Sequence, residues 1–210
     1  MHRLFAKNII FLLFVNIVVK PFWIFGIDTQ VQNTIGNEAY GVYFTFLNIS
    51  LIFQILLDVG LHSYSTNTVS KAHNTFANIF PNILVNKLIL TVLYYTVISI
   101  TGYFMGFSAS EIAFLLFVST IQVCSSFLLF FRSNIAAFQK YKTDSIFSVL
   151  DRVLIILLCG SLLYIPWLKH FMSLNAFVAI QIVALLIVAI IAFGFCVKAH
   201  KIAWHQINFK

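Results

Sequence analysis

Long runs of apolar residues, separated by short polar stretches, dominate the chain. A helix that crosses the hydrocarbon core of a bilayer needs about 20 mostly apolar residues, and several runs reach that length. These predicted spans are residues 8–27, 40–61, 83–103, 112–131, 146–165 and 174–197. They lack the alternation over about 10 residues that is typical of strands in a membrane β-barrel. The pattern predicts an all-α bundle of six transmembrane helices, forming a single transmembrane domain over residues 1–210.

The composition excludes the other broad classes of protein. Hydrophobic residues make up 61% of the 210 residues and charged residues only 9%, whereas soluble globular chains have about 45–50% and about 25%. Too few polar residues remain to cover a soluble surface. Intrinsic disorder needs low hydrophobicity and high charge, which is the opposite composition. Membrane lipid is therefore the expected surrounding of most of the chain.

The positions of the basic residues predict how the helices are oriented. With a cytoplasmic N-terminus, ten of the 13 Lys and Arg lie on the inner side, Lys71, Lys87 and Lys140 among them, while Lys169 lies outside. The outer loops then include Asp28. Cytoplasmic loops are enriched in Lys and Arg, so we expect both termini to be cytoplasmic. The net charge of +7 becomes a signal of topology, and no nucleic-acid partner is expected because no soluble basic face exists.

Charged residues inside or at the ends of the spans are the candidate site residues: Lys20, Asp58, Arg132, Asp151 and Arg152. A lysine at the centre of a span costs roughly 2.5–3.5 kcal/mol on insertion scales, and Lys20 lies past the midplane of the first span. Pro21 follows it and should kink the helix, which frees a backbone carbonyl near the charge. Lys20 either faces a cavity or extends to the outer headgroups.

Asp58 belongs to a polar stripe on the second predicted helix. Ser50, Gln54, Asp58, His62 and Thr66 recur at a spacing of four, which keeps them on one slowly drifting helix face. That face should be turned away from lipid. Asp58 lies near the inner end of the span, where it serves either the site or a structural pair with a basic residue on another helix.

Asp151 and Arg152 lie within the fifth predicted helix, where charged residues usually face the bundle interior or an aqueous cavity. Adjacent residues on a helix diverge by about 100°, so we expect each to have a further partner. Either a cavity role or a structural ion pair between helices fits these two residues. Arg132 ends the fourth helix, and it is either a topology anchor or a cavity contact.

Other kinds of chemistry are not indicated. The three Cys lie inside apolar runs and the six His form no ligand-like cluster, so no metal site or disulfide framework is expected. Neither a phosphate-binding G-x-x-x-x-G-K-[ST] motif nor a G-x-S-x-G nucleophile motif occurs. We therefore expect no cofactor and no enzymatic activity.

Three stretches in this order resemble the N-terminal half of the polysaccharide biosynthesis proteins of the O-antigen flippase type. They are residues 20–24 (KPFWI), 36–43 (GNEAYGVY) and 57–61 (LDVGL). That family belongs to the multidrug/oligosaccharidyl-lipid/polysaccharide exporter superfamily. The resemblance implies two helical lobes around a central cavity, which move lipid-linked pyrophosphate oligosaccharides across the bacterial inner (cytoplasmic) membrane. It makes Lys20 and Arg152 the matching cavity cations, because cations compensate phosphate charge at low dielectric.

The length departs from this family pattern. Each lobe of the family has about six helices, so the chain is expected to be an N-lobe that lacks a C-lobe. Its implied partners are membrane lipid, the lipid-linked oligosaccharide, and a missing second lobe or a second copy. Two alternatives stay open. One is a non-transporting scaffold or inactive fragment of such a system. The other is a multidrug cation antiporter of the same superfamily, which Asp58 and Asp151 would suit.

Overall fold

The computed structural model describes residues 17, 19 and 21–199. In this part of the chain a π-helical segment, Phe22–Asp28, precedes seven α-helices. These helices are α1 (Thr29–Ile35), α2 (Asn37–Ile52), α3 (Leu61–Lys71), α4 (Phe76–Phe104), α5 (Ala109–Ala137), α6 (Tyr141–Tyr164) and α7 (Leu174–Ala199). No strand occurs among the described residues. The prediction of an all-α membrane helix bundle is confirmed.

Within the described residues, five helical stretches are long and apolar enough to cross a membrane. They are Asn37–Leu57, Phe76–Phe104, Ala109–Ala137, Tyr141–Tyr164 and Leu174–Lys198. They correspond to the second to sixth predicted spans, although the helix predicted at 83–103 begins earlier, at Phe76. Most of the first predicted span, 8–27, lies outside the described residues, and so does Lys20. The chain is a multi-pass membrane protein.

The predicted outer loop that begins at Asp28 is largely helical. The π-helical segment ends at Asp28 and runs directly into α1, because no Gly or Pro interrupts residues 29–35. The chain turns only at Gly36, whose φ of 97° favours a residue without a Cβ atom. Asp28 therefore lies on a helix and not in a loop.

The predicted continuous second helix is wrong, because the chain unwinds at its inner end. After α2 a 3₁₀ segment, Phe53–Leu57, leads into an interruption at residues 58–60, and α3 begins at Leu61. Val59 and Gly60 have φ angles of 41° and 84°, in the left-handed region, so the α-helical hydrogen bonds cannot continue through them. The Asp58 carboxylate accepts a hydrogen bond from the His62 backbone N–H at 3.1 Å. This contact satisfies one donor at the start of α3.

Helix α5 lies at the centre of the bundle and packs against α2, α3, α4, α6 and α7. Its contact with α7 is the most extensive. The buried face of α7 carries Ala184, Val188, Ala192 and Cys196 at a spacing of four. Small residues at this spacing let two helix backbones approach closely in a membrane. The central position of α5 brings residues from most of the bundle to its surface.

Candidate functional site

A polar cavity of about 370 Å³ lies between α2, α5, α6 and α7. We call it the arginine cavity. Most of its lining is unusual for a membrane interior, since it carries carboxylates, amides, hydroxyls and a guanidinium. The polar lining residues are Asp28, Tyr40, Tyr43, Gln54, Gln122, Ser125, Asp151, Arg152 and Gln181. Polar and ionisable groups at this depth face a cavity rather than lipid, because lipid offers them no hydrogen bonds.

The arginine cavity extends along much of the membrane-crossing stretch Asn37–Leu57. Tyr40 lines one end of it and Gln54 the other. At 1.5 Å per helical residue these two positions are about 20 Å apart, which is well over half of a hydrocarbon core of about 30 Å. The cavity is therefore long enough for a ligand inside it to move through a large part of the membrane thickness.

Arg152 and Asp151 bring opposite charges into the arginine cavity from α6. Arg152 Nε lies 3.8 Å from Asp151 Oδ2, so these neighbours contact each other although they diverge on the helix. The Asp151 side chain is 14% exposed and that of Arg152 is 45% exposed. Asp151 Oδ1 is buried without a hydrogen-bond partner among the described residues. Buried polar atoms in folded proteins normally have partners, so this site retains unused hydrogen-bonding capacity.

Contacts between aromatic and amide groups order one wall of the arginine cavity. The Trp23 ring stacks on Phe177 with ring centroids 6.1 Å apart, and the Tyr43 ring meets the same Phe177 edge-on at 5.2 Å. Gln181 donates from its side-chain amide to the Tyr43 hydroxyl at 3.1 Å. These contacts hold Tyr43 and Gln181 in place, so that part of the polar wall is formed before any ligand enters.

Asp28 is a cavity residue that the sequence analysis placed in an outer loop. It lines the arginine cavity because the helical run through residues 22–35 keeps it beside α2. Burial raises the pKa of the Asp28 carboxyl, and the nearby Tyr40 hydroxyl and Arg152 guanidinium oppose that shift. The sequence signal that could have identified Asp28 as a cavity residue is an acidic residue directly after an apolar run. The described part of this cavity thus combines one guanidinium with two carboxyl groups.

A second charged cluster surrounds the interruption between α2 and α3. The Lys87 ammonium donates to the Leu57 carbonyl oxygen at 3.0 Å and to Ser126 Oγ at 2.8 Å, and it lies 3.6 Å from Asp58 Oδ1. Lys87 is 1% exposed. We call Leu57, Asp58, Lys87 and Ser126 the lysine cluster. Lys87 is therefore buried between helices and not exposed at the membrane surface, and Asp58 has a basic partner on another helix, which was one of its two predicted roles.

A cavity of about 300 Å³ opens onto the lysine cluster and adjoins the arginine cavity. It is lined by Gln54, Asp58, His62, Ser126 and Leu129, and we call it the Asp58 cavity. Gln54 lines both cavities, while the neighbours Ser125 and Ser126 of α5 face one cavity each. Part of the predicted polar stripe, Gln54, Asp58 and His62, therefore does border polar space.

A family model described as polysaccharide biosynthesis protein matches residues 5–209. The chain belongs to the polysaccharide biosynthesis protein family. Nothing matches it among the curated proteins or among the solved structures. Membership supports a role of this chain in the synthesis or export of polysaccharide.

The predicted site residues that the structure describes lie in three separate places. Asp151 and Arg152 share the arginine cavity, and Asp58 lies in the adjoining cavity. Arg132 borders neither, since its Nε donates to Asp144 Oδ1 at 2.8 Å and joins the end of α5 to α6. Lys20 falls outside the described residues. The amides Gln122 and Gln181 were missed as site residues; their signal was a polar side chain within an apolar run.

Proposed function

We propose that this chain is the N-lobe of a transporter that moves lipid-linked oligosaccharides across the bacterial inner membrane, with both termini cytoplasmic. The arginine cavity holds the cargo's polar part, and Arg152 binds its pyrophosphate. The chain acts as a transporter and not as an enzyme. Membrane lipid surrounds it, and a second lobe or a second copy completes the transport path.

The observation that carries this proposal is the exposed guanidinium of Arg152 in a polar cavity at membrane depth. A guanidinium offers five N–H donors in a planar fork that matches phosphate oxygens. Its single close partner among the described residues is a carboxylate at 3.8 Å, so most of these donors are available for a ligand. The amides and hydroxyls of the same cavity supply donors and acceptors suited to sugar hydroxyl groups.

The need for a partner follows from the same exposure. The Arg152 side chain is 45% exposed, although it lies within a membrane-crossing helix. A charged residue on such a helix faces protein or water, because contact with lipid is costly. A second lobe that covers this side would enclose the arginine cavity and complete a path between the two membrane faces.

Binding of a pyrophosphate lipid tests the proposed site. Farnesyl pyrophosphate should bind the full chain in lipid nanodiscs, and farnesol should bind more weakly. Arg152→Gln should weaken farnesyl pyrophosphate binding by roughly 10–150-fold, since hydrogen bonds to a charged group contribute about 1.5–3 kcal/mol. Lys142→Gln on the exposed start of α6 is the matched control and should leave the affinity unchanged. Equal affinities of the wild type and Arg152→Gln would contradict the proposed pyrophosphate site.

Translocation tests the proposed need for a second lobe. In liposomes, movement of a fluorescent isoprenyl pyrophosphate between leaflets should require a partner lobe or a dimer of this chain. Movement catalysed by a verified monomer would show that one lobe suffices.

In cells, a scaffold role predicts that Arg152→Gln leaves surface polysaccharide unchanged at normal expression, whereas the transporter role predicts its loss.

A cation antiporter is the second candidate, and one observation favours it. Asp28 and Asp151 lie in the same cavity as Arg152, so carboxyl groups outnumber the guanidinium among the described residues. A lipophilic cation such as tetraphenylphosphonium would be attracted to two carboxylates. If tetraphenylphosphonium binds in the arginine cavity and farnesyl pyrophosphate does not, the antiporter replaces the flippase as the better function.

A further inference from the structure

Four aromatic side chains form a connected cluster at the Tyr40 end of the arginine cavity. The Trp23 indole stacks on the Phe177 ring, and the Tyr43 ring contacts Phe177 at 5.2 Å and Tyr40 at 5.6 Å between ring centroids. We call Trp23, Tyr40, Tyr43 and Phe177 the aromatic cluster. Phe177 and Tyr43 are buried, whereas Trp23 and Tyr40 are partly exposed. The buried rings therefore hold the two exposed rings in place.

A position at the membrane surface does not account for these rings. Trp and Tyr are enriched at both membrane interfaces, where they lie at the level of the lipid headgroups. Trp167, which follows α6 and is 78% exposed, is a residue of that kind. Trp23, Tyr40 and Tyr43 instead line the arginine cavity. Their rings thus border the space that is proposed to hold the polar part of the cargo.

Planar hydrogen-bonding groups accompany the rings in this cavity. Asp28 and Gln181 line it, and the Gln181 amide donates to the Tyr43 hydroxyl. A sugar ring has a face of C–H groups, which packs on an aromatic ring, and an edge of hydroxyl groups, which both donate and accept hydrogen bonds. Aromatic rings beside a carboxylate and an amide match both parts of a sugar. An isoprenoid chain, which has no polar edge, would leave these polar groups without partners.

The Asp28 carboxylate needs a neutral partner if the cargo is a pyrophosphate. A carboxylate repels phosphate, but it accepts hydrogen bonds from uncharged hydroxyl groups. Asp28 lies near Tyr40 of the aromatic cluster and near Arg152. In a lipid-linked oligosaccharide the first sugar is bonded directly to the pyrophosphate. A pyrophosphate on Arg152 therefore places that sugar within reach of Asp28 and the aromatic cluster.

We propose that the aromatic cluster and Asp28 form a subsite for the first sugar of the cargo. The C–H face of the sugar packs on Trp23 and Tyr40, and its hydroxyl groups donate to Asp28. The subsite rests on the proposed function, because the pyrophosphate on Arg152 positions the sugar. It makes this lobe select pyrophosphate lipids that carry a sugar over those that carry none.

Two lipids of equal charge test the subsite on the full chain in lipid nanodiscs. The wild type should bind farnesyl pyrophosphoryl glucose about 2–12-fold more tightly than the methyl ester of farnesyl pyrophosphate, the scale of one aromatic packing contact. In Trp23→Leu this ratio should approach one, and Trp23→Phe, which keeps a ring, should retain part of it. Trp167→Leu, outside the cavity, should keep the wild-type ratio. Equal ratios in the wild type and Trp23→Leu overturn the subsite.

Asp28→Asn should affect the two lipids in different ways. Loss of a negative charge should raise the affinity for the methyl ester. The gain from glucose should shrink, because an amide oxygen accepts a hydrogen bond more weakly than a carboxylate does. Glu38→Gln, at the exposed start of α2, is the control for charge at a distance and should keep the wild-type ratio. An unchanged gain from glucose in Asp28→Asn overturns the role of Asp28.

Fluorescence of Trp23 gives a measurement that leaves the cavity intact. Trp167 and Trp204, the other two Trp of the chain, are replaced by Phe for this purpose. Farnesyl pyrophosphoryl glucose should then change the Trp23 emission more than the methyl ester does. This measurement decides the question if Trp23→Leu fails to fold, and equal changes with both lipids overturn the subsite.

Cellobiose separates failure of the subsite from failure of the proposed function. If neither lipid binds, the proposed pyrophosphate site is wrong. Cellobiose, an uncharged disaccharide used at millimolar concentration, is then added to the same Trp23 protein. A change in emission that saturates supports a sugar subsite that does not need the pyrophosphate, and no change overturns it.

Discussion

The lysine cluster and the arginine cavity accommodate a membrane-buried cation in opposite ways. Lys87 contacts a carbonyl, a hydroxyl and a carboxylate and is 1% exposed. Arg152 has a single close partner among the described residues, at 3.8 Å, and is 45% exposed. A cation whose donors are all used stabilises the structure, since any loss leaves buried partners unsatisfied. A cation with unused donors in a cavity is available to a ligand.

Removing the Lys87 ammonium should have the largest effect on stability. Lys87→Met keeps the apolar stem but leaves the Leu57 carbonyl, Ser126 and Asp58 without their cation. Breaking a buried pair by removing one partner costs about 3–5 kcal/mol. Unfolding by sodium dodecyl sulfate in mixed micelles measures the loss. Lys71→Met, at the exposed end of α3, is the control. A loss as small as that of the control would mean that Lys87 is not a structural cation.

Adjacent serines on α5 allow a finer comparison. Ser126→Ala removes an acceptor of the Lys87 ammonium at 2.8 Å and should destabilise the fold by about 1.5–3 kcal/mol, the value of a hydrogen bond to a charged group. Ser125→Ala lines the arginine cavity and should change the unfolding free energy by less than about 0.5 kcal/mol. The same micelle titration compares them. Equal losses would remove the distinction between the two regions.

The interruption that supplies the Leu57 carbonyl depends on Gly60. Nothing lies within 4 Å of a Cβ atom placed on Gly60, so Gly60→Ala introduces no clash. Its φ of 84° should still cost an L-residue about 1 kcal/mol. Gly41→Ala within α2, also without a close neighbour, is expected to be neutral or slightly stabilising. Should both variants lose equal stability, the left-handed conformation is not what requires the glycine.

Arg152→Gln should have the smallest effect on stability. Its ion pair with Asp151 is long at 3.8 Å and the Arg152 side chain is 45% exposed, and loosely held, solvent-accessible pairs contribute about 0–1 kcal/mol. The unfolding free energy should therefore change by less than about 1 kcal/mol, while the affinity for farnesyl pyrophosphate falls by roughly 10–150-fold. A loss of several kcal/mol would place Arg152 among the structural cations beside Lys87.

Much of the fold could be predicted because it depends on continuous apolar runs. The interruption at residues 58–60 could not be predicted in this way. It arises from the backbone angles of Val59 and Gly60, and the hydrophobicity of a segment carries no information about such angles. Lys87 was assigned to the inner surface because its partners could not be recognised from the sequence. They lie on other helices, far along the chain. Asp28 was assigned to a loop because residues 28–35 are mostly polar, although they are helical.

The charged pair of the candidate site was easier to predict than its surroundings. Asp151 and Arg152 stand out in an apolar run, because a charged residue inside a membrane is costly unless it faces a cavity or a partner. Gln122 and Gln181 complete the same cavity but carry no charge, and amides are common in helix packing. Only the arrangement of α5, α6 and α7 separates a packing amide from one that lines a cavity.

The contact between Lys87 and the Leu57 carbonyl has a consequence for comparison with related chains. Its acceptor belongs to the main chain, so any residue at position 57 supplies the same oxygen. The acceptors at 58 and 126 are side chains, and these positions can lose their role by substitution. Residue 87 should therefore covary with residues 58 and 126, while residue 57 varies freely among apolar side chains.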